Sequence, residues 1–321
     1  MRVLGTQIMA ADRISSSIVN AMSVDVEDFF QVSAFESVIV REDWDQVDCR
    51  VEHNTDRVLA LFERHGVKAT FFTLGWVAER YPSLVKRIVD QGHEIGSHGY
   101  SHVRATEQSP ADFADDVRKT RNLLQDLSGQ PVYGYRAASF SVAKRNLWAL
   151  QEIEAAGHRY SSSVNPIRHD LYGIPDAPRF SFRPKGLELI EVPITTVKMF
   201  RANLPCGGGG YFRIAPYSYF KWAIRRVNKQ EREPAVFYFH PWEIDPTQPK
   251  QQGIPLKTRF RHYTNLDVME QRLCRLLQDF KWGRMDEVFM HRETVEHVDI
   301  GLLNAPALDL SVGTSERPQA H

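Results

Sequence analysis

The chain has 321 residues, of which 42% are hydrophobic, and its 40 Lys and Arg residues equal its 40 Asp and Glu residues in number. This length fits one large domain or two ordinary ones, and the charge balance argues against a global field that attracts nucleic acid or an anionic membrane. The cysteines, Cys49, Cys206 and Cys274, are odd in number and far apart. They argue against a disulfide framework or a cysteine-based zinc site and suggest a reducing compartment.

The N-terminal segment does not predict a cleaved signal peptide. Its apolar run is interrupted by Thr6 and Gln7 and closed by Asp12 and Arg13. No later segment approaches the ~18 to 20 uninterrupted apolar residues that a membrane span needs. We therefore expect a soluble, cytoplasmic chain with no membrane span.

Strand-like and helical segments alternate from the start of the chain. "NAMSVDVEDFF" predicts a strand, "DRVLALFERHG" predicts a helix from Asp56 that stops at Gly66, and "VKATFFTLG" predicts a second strand. The helix "YPSLVKRIVDQG" and the short strand "HEIGSH" follow, and then the helix "SPADFADDVRKTRNLLQDLSG" with Ser109 as its cap.

The alternation continues through "PVYGYRAASF", a helix around "AKRNLWALQEIEAAGH", "RYSSSV", "LELIEVPITTV" and "EPAVFYFHPWEID". Repeated strand and helix predicts an α/β fold in which a parallel sheet, with helices outside it, closes into a barrel.

The C-terminal part differs in composition. A polar, proline-containing loop precedes a helical stripe that we expect to pack on the barrel, formed by Leu266, Met269, Leu273, Leu276 and Leu277. We divide the chain into an N-terminal segment (1–18), a catalytic domain (19–244), a C-terminal extension (245–300) and a polar, disordered tail (301–321).

Chemically capable side chains follow four separate strands. Asp25, Glu27 and Asp28 end the first; His98 and His102 follow the third; Arg136 and His240 follow two later strands. Because the carboxyl ends of parallel strands share one edge, we expect these groups to converge there.

Each group alone has an ordinary explanation, such as an acidic turn, a packed imidazole or an ion-paired arginine. Taken together, they favour a metal-dependent site. One carboxylate and two imidazoles form a common ligand set for Zn²⁺ or a similar divalent ion. A second carboxylate, an arginine and a third histidine would then supply a base, its orienting partner and an acid.

The stretches "SVDVED", "SHGYSH", "RAASF" and "YFHPWE" resemble, in this order, the motifs of the NodB-homology polysaccharide deacetylases, carbohydrate esterase family 4. "CGGGGYFRIAPY" and the region after "HPWEID" are similar to the subgroup associated with exosortase (PEP-CTERM) gene clusters. The resemblance spans most of the chain and implies a distorted (β/α) barrel of the NodB type with a C-terminal helical extension.

The resemblance also implies roles for individual residues. Asp25 matches the family's general base, His98 and His102 its metal ligands, Arg136 the arginine that holds the base, and His240 the general acid. The third metal ligand is open between Glu27 and Asp28, because Val26 stands where many members carry an aspartate. Strand alternation favours Glu27 slightly.

The function implied is a Zn²⁺-dependent hydrolase that removes N-acetyl groups from N-acetylhexosamine units of an exopolysaccharide or its precursor. A backbone N–H near Ser139 would hold the oxyanion, and Tyr211 and Trp242 are candidates for contacts with sugar rings. An amidase acting on a small non-sugar amide and a non-catalytic carbohydrate-binding homologue are the alternatives. The oligomeric state is open.

Two positions depart from the family pattern. Ala138 stands where a proline is usual, which should only loosen the loop. Ser161 stands where an aspartate is frequent, which would change how Arg136 is held. The glycine run at residues 207–210 lacks the spacing of a phosphate-binding loop.

Overall fold

A computed structural model describes residues 18–169, 173–292 and 295–301. The strands within these ranges are β1 (Val19–Val26), β2 (Thr70–Thr73), β3 (Glu94–Ser97), β4 (Gly134–Tyr135), β5 (Tyr160–Ser161), β6 (Arg183–Pro184), β7 (Ile190–Glu191), β8 (Thr196–Met199), β9 (Ala202–Pro205), β10 (Val236–Phe239), β11 (Lys281–Gly283) and β12 (His297–Val298). The α-helices are α1 (Val51–His65), α2 (Gly75–Arg80), α3 (Pro82–Asp90), α4 (Pro110–Ser128), α5 (Trp148–Ala155), α6 (Gly209–Ile214), α7 (Tyr217–Arg226), α8 (Leu256–Tyr263), α9 (Leu266–Asp279) and α10 (Met285–Phe289).

The main sheet is parallel and curls into an incomplete barrel. Its strand order is β10-β1-β2-β3-β4-β5-β7, and β11 pairs with the first residues of β1. Between the two outer strands, the chain near Gly207 lies against β10, where the Tyr238 amide donates to the Gly207 carbonyl at 2.8 Å. The predicted α/β architecture, a distorted (β/α) barrel, is confirmed.

Local sequence signals explain several element ends. Ser109 caps α4, its hydroxyl accepting a hydrogen bond from the Asp112 amide at 3.2 Å. Gly66 ends α1 in the left-handed conformation, with φ of 62°. The predicted apolar stripe of α9 is buried along its whole length, as proposed for Leu266, Met269, Leu273, Leu276 and Leu277.

Other elements differ from the sequence prediction. Helix α1 begins at Val51 rather than Asp56, because the Asp28 carboxylate accepts hydrogen bonds from the Arg50 amide and the Cys49 thiol at its first turn. Helix α8 and strand β11 were not predicted, and β11 brings the C-terminal extension into the main sheet.

The domain division at residue 244 stays a prediction. The expected N-terminal segment and polar tail fall almost entirely outside the described residues. Within the described ranges, none of the helices is both long enough and apolar enough to cross a bilayer.

Candidate metal and catalytic site

Most of the predicted side chains meet at the carboxyl edge of the main sheet. There they border an open cavity of about 320 Å³. The lining includes Asp25, Glu27, His98, His102, Ser139, His240 and Trp242. Residues far apart in sequence converge because β1, β3, β4 and β10 run in parallel and end at this edge.

Glu27, His98 and His102 form a cluster with the composition of a metal site. One ligand atom from each residue lies within 4.8 Å of the other two, and all three side chains are buried. Glu27 Oε2 lies 3.0 Å from His102 Nε2 and has no hydrogen-bond partner among the described residues. His98 Nδ1 lies 2.8 Å from the Arg136 carbonyl oxygen, which leaves Nε2 as the ligand atom.

The loop between the two histidines is fixed from outside. Gly99 and His102 both have positive φ, of 73° and 53°, so the chain turns sharply between the imidazoles. Arg41 donates from Nε to the Ser101 carbonyl at 2.9 Å and from Nη2 to the His102 carbonyl at 3.2 Å. These contacts hold the second imidazole towards Glu27.

Burial sets the protonation of this cluster. It lowers the pKa of His98, an effect that Asp25 partly opposes, and it lowers the pKa of His102 further, with His98 adding to the shift. Burial also raises the pKa of Glu27 to about 7, against the opposing effect of His240. Neutral imidazoles are the form in which histidine binds metals.

Asp28 lies apart from this cluster. One carboxylate oxygen accepts from the Phe29 amide at 2.7 Å, and the other accepts from Arg50 and Cys49 at the start of α1. Both oxygens therefore face the protein interior, and the structure groups Glu27, rather than Asp28, with the two histidines. The physical reason is the turn after Val26, in which the Glu27 amide donates to the Asp25 carbonyl at 3.0 Å.

Asp25 is held by a buried arginine. Arg136 Nη1 donates to Asp25 Oδ1 at 2.6 Å and to Ser23 Oγ at 2.9 Å. On the other side, Nη2 donates to Ser162 Oγ at 3.0 Å. Asp25 Oδ2 is left facing the cavity, 4.0 Å from His240 Nε2.

His240 follows β10 and lines the same cavity. Its Nε2 lies 3.4 Å from Glu27 Oε1, and its Nδ1 lies 3.2 Å from Glu243 Oε2. Glu243 is itself ion-paired to Arg213, whose Nε donates to Oε1 at 2.9 Å. Burial alone would lower the pKa of His240, but Glu27, Glu243 and Asp25 raise it to about 9.

The three candidate substrate contacts differ in position. Ser139 lines the cavity with a positive φ of 52°, and its hydroxyl lies 2.7 Å from Ser33 Oγ. Trp242 lines the wall but is buried, stacked between the rings of His240 and His262. Tyr211 lies outside the lining, partly exposed on α6, whereas its neighbour Gly210 borders the cavity.

The glycine run at residues 207–210 has a packing role here. A β-carbon at Gly209 would overlap the Glu243 carboxylate, and one at Gly207 would overlap the Val236 carbonyl. Glycine is needed because the backbone passes directly against β10 and the Glu243 carboxylate.

Sequence reasoning assigned no role to Ser23, Ser162, Glu191, Arg213 or Glu243. Glu243 carries a weak signal, since it lies one turn after His240. Arg213 carries none, because it meets Glu243 only through the fold. Ser161, the departure noted above, pairs in register with the buried Glu191 of β7.

Two family models match adjacent parts of the chain. Residues 43–160 match the polysaccharide deacetylase family, and residues 162–290 match a domain of unknown function, DUF3473. His98, His102 and Arg136 lie in the first match, and His240 lies in the second. The site therefore draws on both segments, while Asp25 and Glu27 precede them.

Curated relatives match shorter stretches. A peptidoglycan-N-acetylglucosamine deacetylase from Bacillus cereus is 40% identical over 86 residues, 25% of this chain and 31% of that protein. A peptidoglycan deacetylase from Helicobacter pylori is 38% identical over 81 residues, 25% of this chain and 28% of that protein. The chain thus spans less than a third of the length of either of these two relatives.

A solved structure shares the fold. The crystal structure of a proposed polysaccharide deacetylase from Mycobacterium smegmatis aligns with a TM-score of 0.55 at 15% identity, covering 86% of this chain and 90% of that one. The curled parallel sheet is common to both. This alignment shows the fold alone, whereas the similarity to the polysaccharide deacetylase family comes from the sequence matches. The exosortase-associated subgroup stays a prediction.

Proposed function

We propose that the protein is a metal-dependent hydrolase that removes N-acetyl groups from N-acetylhexosamine units of a polysaccharide or its precursor. One observation carries the proposal: the cluster of Glu27, His98 and His102 borders the same cavity as Asp25 and His240. A candidate ligand set, a base and an acid are thus within reach of a single acetamide group.

The donor set fits a divalent cation, and zinc best. Two imidazoles and a carboxylate are the ligands of many catalytic zinc sites, in which a further position stays open. Glu27 Oε2, buried and without a hydrogen-bond partner among the described residues, is an oxygen for which a cation would compensate. A bound divalent ion would polarise the acetyl carbonyl and make water a better nucleophile at neutral pH.

The chain's own residues would handle the protons. Asp25 Oδ2 faces the cavity and would accept a proton from the attacking water, while Arg136 fixes the carboxylate through Oδ1. The leaving nitrogen must receive a proton when the C–N bond breaks. His240 lines the same cavity, with Nε2 4.0 Å from Asp25 Oδ2, and its pKa, raised to about 9, keeps it protonated at neutral pH, as a general acid requires.

The cavity suits a sugar-bearing substrate. Its wall includes the stacked Trp242 and, from α8, Thr258, Arg261 and His262. Both faces of the Trp242 ring are covered by imidazoles, so the polar side chains of α8 are the groups in this wall that could bind sugar hydroxyls.

The test pairs metal content with turnover. Metal would be measured by mass spectrometry on the purified protein and on the His98→Ala, His102→Ala double variant, with acetate release from N-acetylglucosamine oligomers assayed in the same samples. The His53→Ala, His65→Ala double variant is the matched control, because both imidazoles lie on α1 and neither lines the cavity.

We expect about one zinc ion per chain in the wild type and the control, with metal and acetate release both lost in the site variant. Equal metal in all three proteins would refute the metal site. Metal lost with the two histidines, but no acetate released by the wild type, would instead point to carbohydrate binding without turnover.

A further inference from the structure

Arg136 is completely buried, yet it has a single ion-pair partner within 4 Å among the described residues. That partner is Asp25, and the other groups that accept from the guanidinium are neutral: Ser23 Oγ, Ser162 Oγ, the Ser162 carbonyl and the Met285 sulfur. A buried cation is costly unless nearby negative charge and hydrogen bonds compensate it. The geometry of its surroundings therefore determines how firmly Asp25 is held.

A second carboxylate lies behind this pair. Glu191 is also completely buried, on β7, and it pairs in register with Ser161 of β5. Its Oε1 accepts from the Ser163 amide at 2.8 Å and from the Val164 amide at 2.7 Å. These two amides follow directly after Ser162, the residue that binds the guanidinium.

The serines connect the two charges. Ser161 Oγ donates to Ser163 Oγ at 2.8 Å, and Ser163 Oγ accepts from the Ala137 amide at 2.9 Å. Residues 161–164 are thus tied to Glu191 on one side and, through Arg136 and Ala137, to the end of β4 on the other. A shift of the Glu191 carboxylate would move both hydrogen-bonding groups that Ser162 offers to Arg136.

From this arrangement we propose that Glu191 is a positioning residue of the catalytic site, whose buried negative charge and grip on residues 162–164 hold Arg136 against Asp25. The inference rests on the proposed function, since it assigns a support to its candidate base. Glu191 itself does not line the cavity and would not touch the substrate.

The hydrogen-bond pattern favours the ionised form of Glu191. Burial raises the pKa of Glu191, whereas the Ser161 side chain, the Val164 and Ser163 amides and the charge of Arg136 oppose that effect. Hydrogen-bond donors and a nearby positive charge favour the charged form of a carboxyl group.

Glu191→Gln separates charge from shape. The substituted amide oxygen can still accept from Ser163 and Val164, so a purely structural role would survive. We expect kcat for acetate release to fall by about 10- to 100-fold at nearly constant KM, the range seen when outer partners of site residues are removed. Adding Ser161→Asp should restore most of the loss, because it returns a carboxylate to the register partner.

Glu94→Gln is the matched control. It makes the same isosteric change at a buried carboxyl in the same sheet, but that carboxyl binds Thr70, Tyr160 and the Asp286 amide and makes no hydrogen bond to Arg136 or to residues 162–164. Wild-type kcat in Glu191→Gln would overturn the proposal. So would a loss that Ser161→Asp fails to restore, because the loss would then not come from the missing negative charge.

A second measurement does not depend on turnover. In urea unfolding, Glu191→Gln should lower the free energy of unfolding more in the wild type than in the Arg136→Met variant. The Glu191 charge can interact with the Arg136 guanidinium only in the wild type. Equal effects in both backgrounds would overturn the proposal. If Arg136→Met does not fold, the comparison is replaced by melting temperatures: the Ser161→Asp, Glu191→Gln double variant should recover the temperature that Glu191→Gln loses. A wild type without acetate release would refute the proposed function, and this measurement would still decide the role of Glu191.

Discussion

Arg213 and Glu243 form an ion pair with both side chains buried, the guanidinium Nε donating to Oε1 at 2.9 Å. Arg213 also donates to the carbonyls of Arg261, His262 and Thr264, so it is fixed by the chain around the end of α8. Glu243 uses its second oxygen for His240, accepting from the backbone amide at 3.0 Å and lying 3.2 Å from Nδ1. The DUF3473 segment thus supplies the candidate acid together with the pair that orients it.

Replacing Glu243 by Gln should weaken His240 as an acid. The negative charge that raises the pKa of His240 would be lost while the side-chain shape is kept, so the imidazole would be less fully protonated at neutral pH. We expect kcat for acetate release to fall by about 10- to 100-fold, the scale of one general-acid contribution at its lower end. An NMR titration of His240 should show its pKa shifted down.

The control for this change is Glu270→Gln, at a partly exposed carboxylate of α9 that pairs with Arg57 and Arg64. It should leave kcat unchanged. If Glu243→Gln kept full activity and the wild-type pKa of His240, the orienting role of the buried pair would be wrong.

Two isosteric variants should distinguish the metal-binding role of Glu27 from the structural role of Asp28. Glu27→Gln removes the carboxylate that is grouped with both histidines, so we expect it to lose bound zinc with little loss of stability. Asp28→Asn removes charge from hydrogen bonds to Phe29, Arg50 and Cys49, so we expect it to keep zinc but to lower the free energy of unfolding by about 1–3 kcal/mol. Metal analysis and urea unfolding of both variants would check this.

The opposite pattern, with zinc lost in Asp28→Asn and kept in Glu27→Gln, would mean that the turn after Val26 rearranges around the metal. Equal loss in both variants would assign both carboxylates to the site.

The sequence was sufficient where a group is placed by its own strand. Asp25, His98, Arg136 and His240 each lie at or directly after the end of a parallel strand, so apolar runs followed by polar residues placed them at one edge. Strand alternation could not decide between Glu27 and Asp28, because the choice depends on a turn and on hydrogen bonds to α1 that come from a distant segment.

The side chains that support the candidate base and acid could not be predicted from the strands and helices that carry them. Glu191 meets Ser163, and Arg213 meets Glu243, only after the sheet has curled, and nothing near either residue in sequence marks the pairing. Helix α8 was missed because it has no buried apolar face: Leu256 and Phe260 lie four residues apart but are exposed, and the buried residue is the polar His262. Strand β11 was missed because three residues are too few for an alternation signal.

The buried Glu94 should make stability depend on pH. Burial and the nearby Asp286 raise the pKa of Glu94 to about 8, from 4.5. A raised folded-state pKa gives stability that is fully present below 4.5 and is lost as the pH rises towards 8. The Glu94→Gln variant has no such titration, so the wild type should lose stability relative to it by up to roughly 1.4 kcal/mol per pH unit across this window.

Urea unfolding of both proteins, monitored by tryptophan fluorescence at several pH values between those limits, measures the difference in their free energies of unfolding. A constant difference between the two curves would mean that Glu94 has the same pKa in the folded and unfolded states.

Arg261 should contribute to substrate binding rather than to chemistry. It lines the cavity from α8, its backbone carbonyl is held by Arg213 Nη2 at 3.0 Å, and its guanidinium makes no ion pair within 4 Å to another described residue. An arginine that contacts the sugar away from the acetamide would bind substrate and transition state equally. Arg261→Ala should therefore raise KM for N-acetylglucosamine oligomers by about 5- to 50-fold with kcat nearly unchanged.

Arg259→Ala, an exposed position on the same helix outside the lining, is the matched control and should change neither constant. A fall in kcat without a change in KM would place Arg261 in the chemistry, and equal behaviour of the two variants would remove α8 from the substrate site.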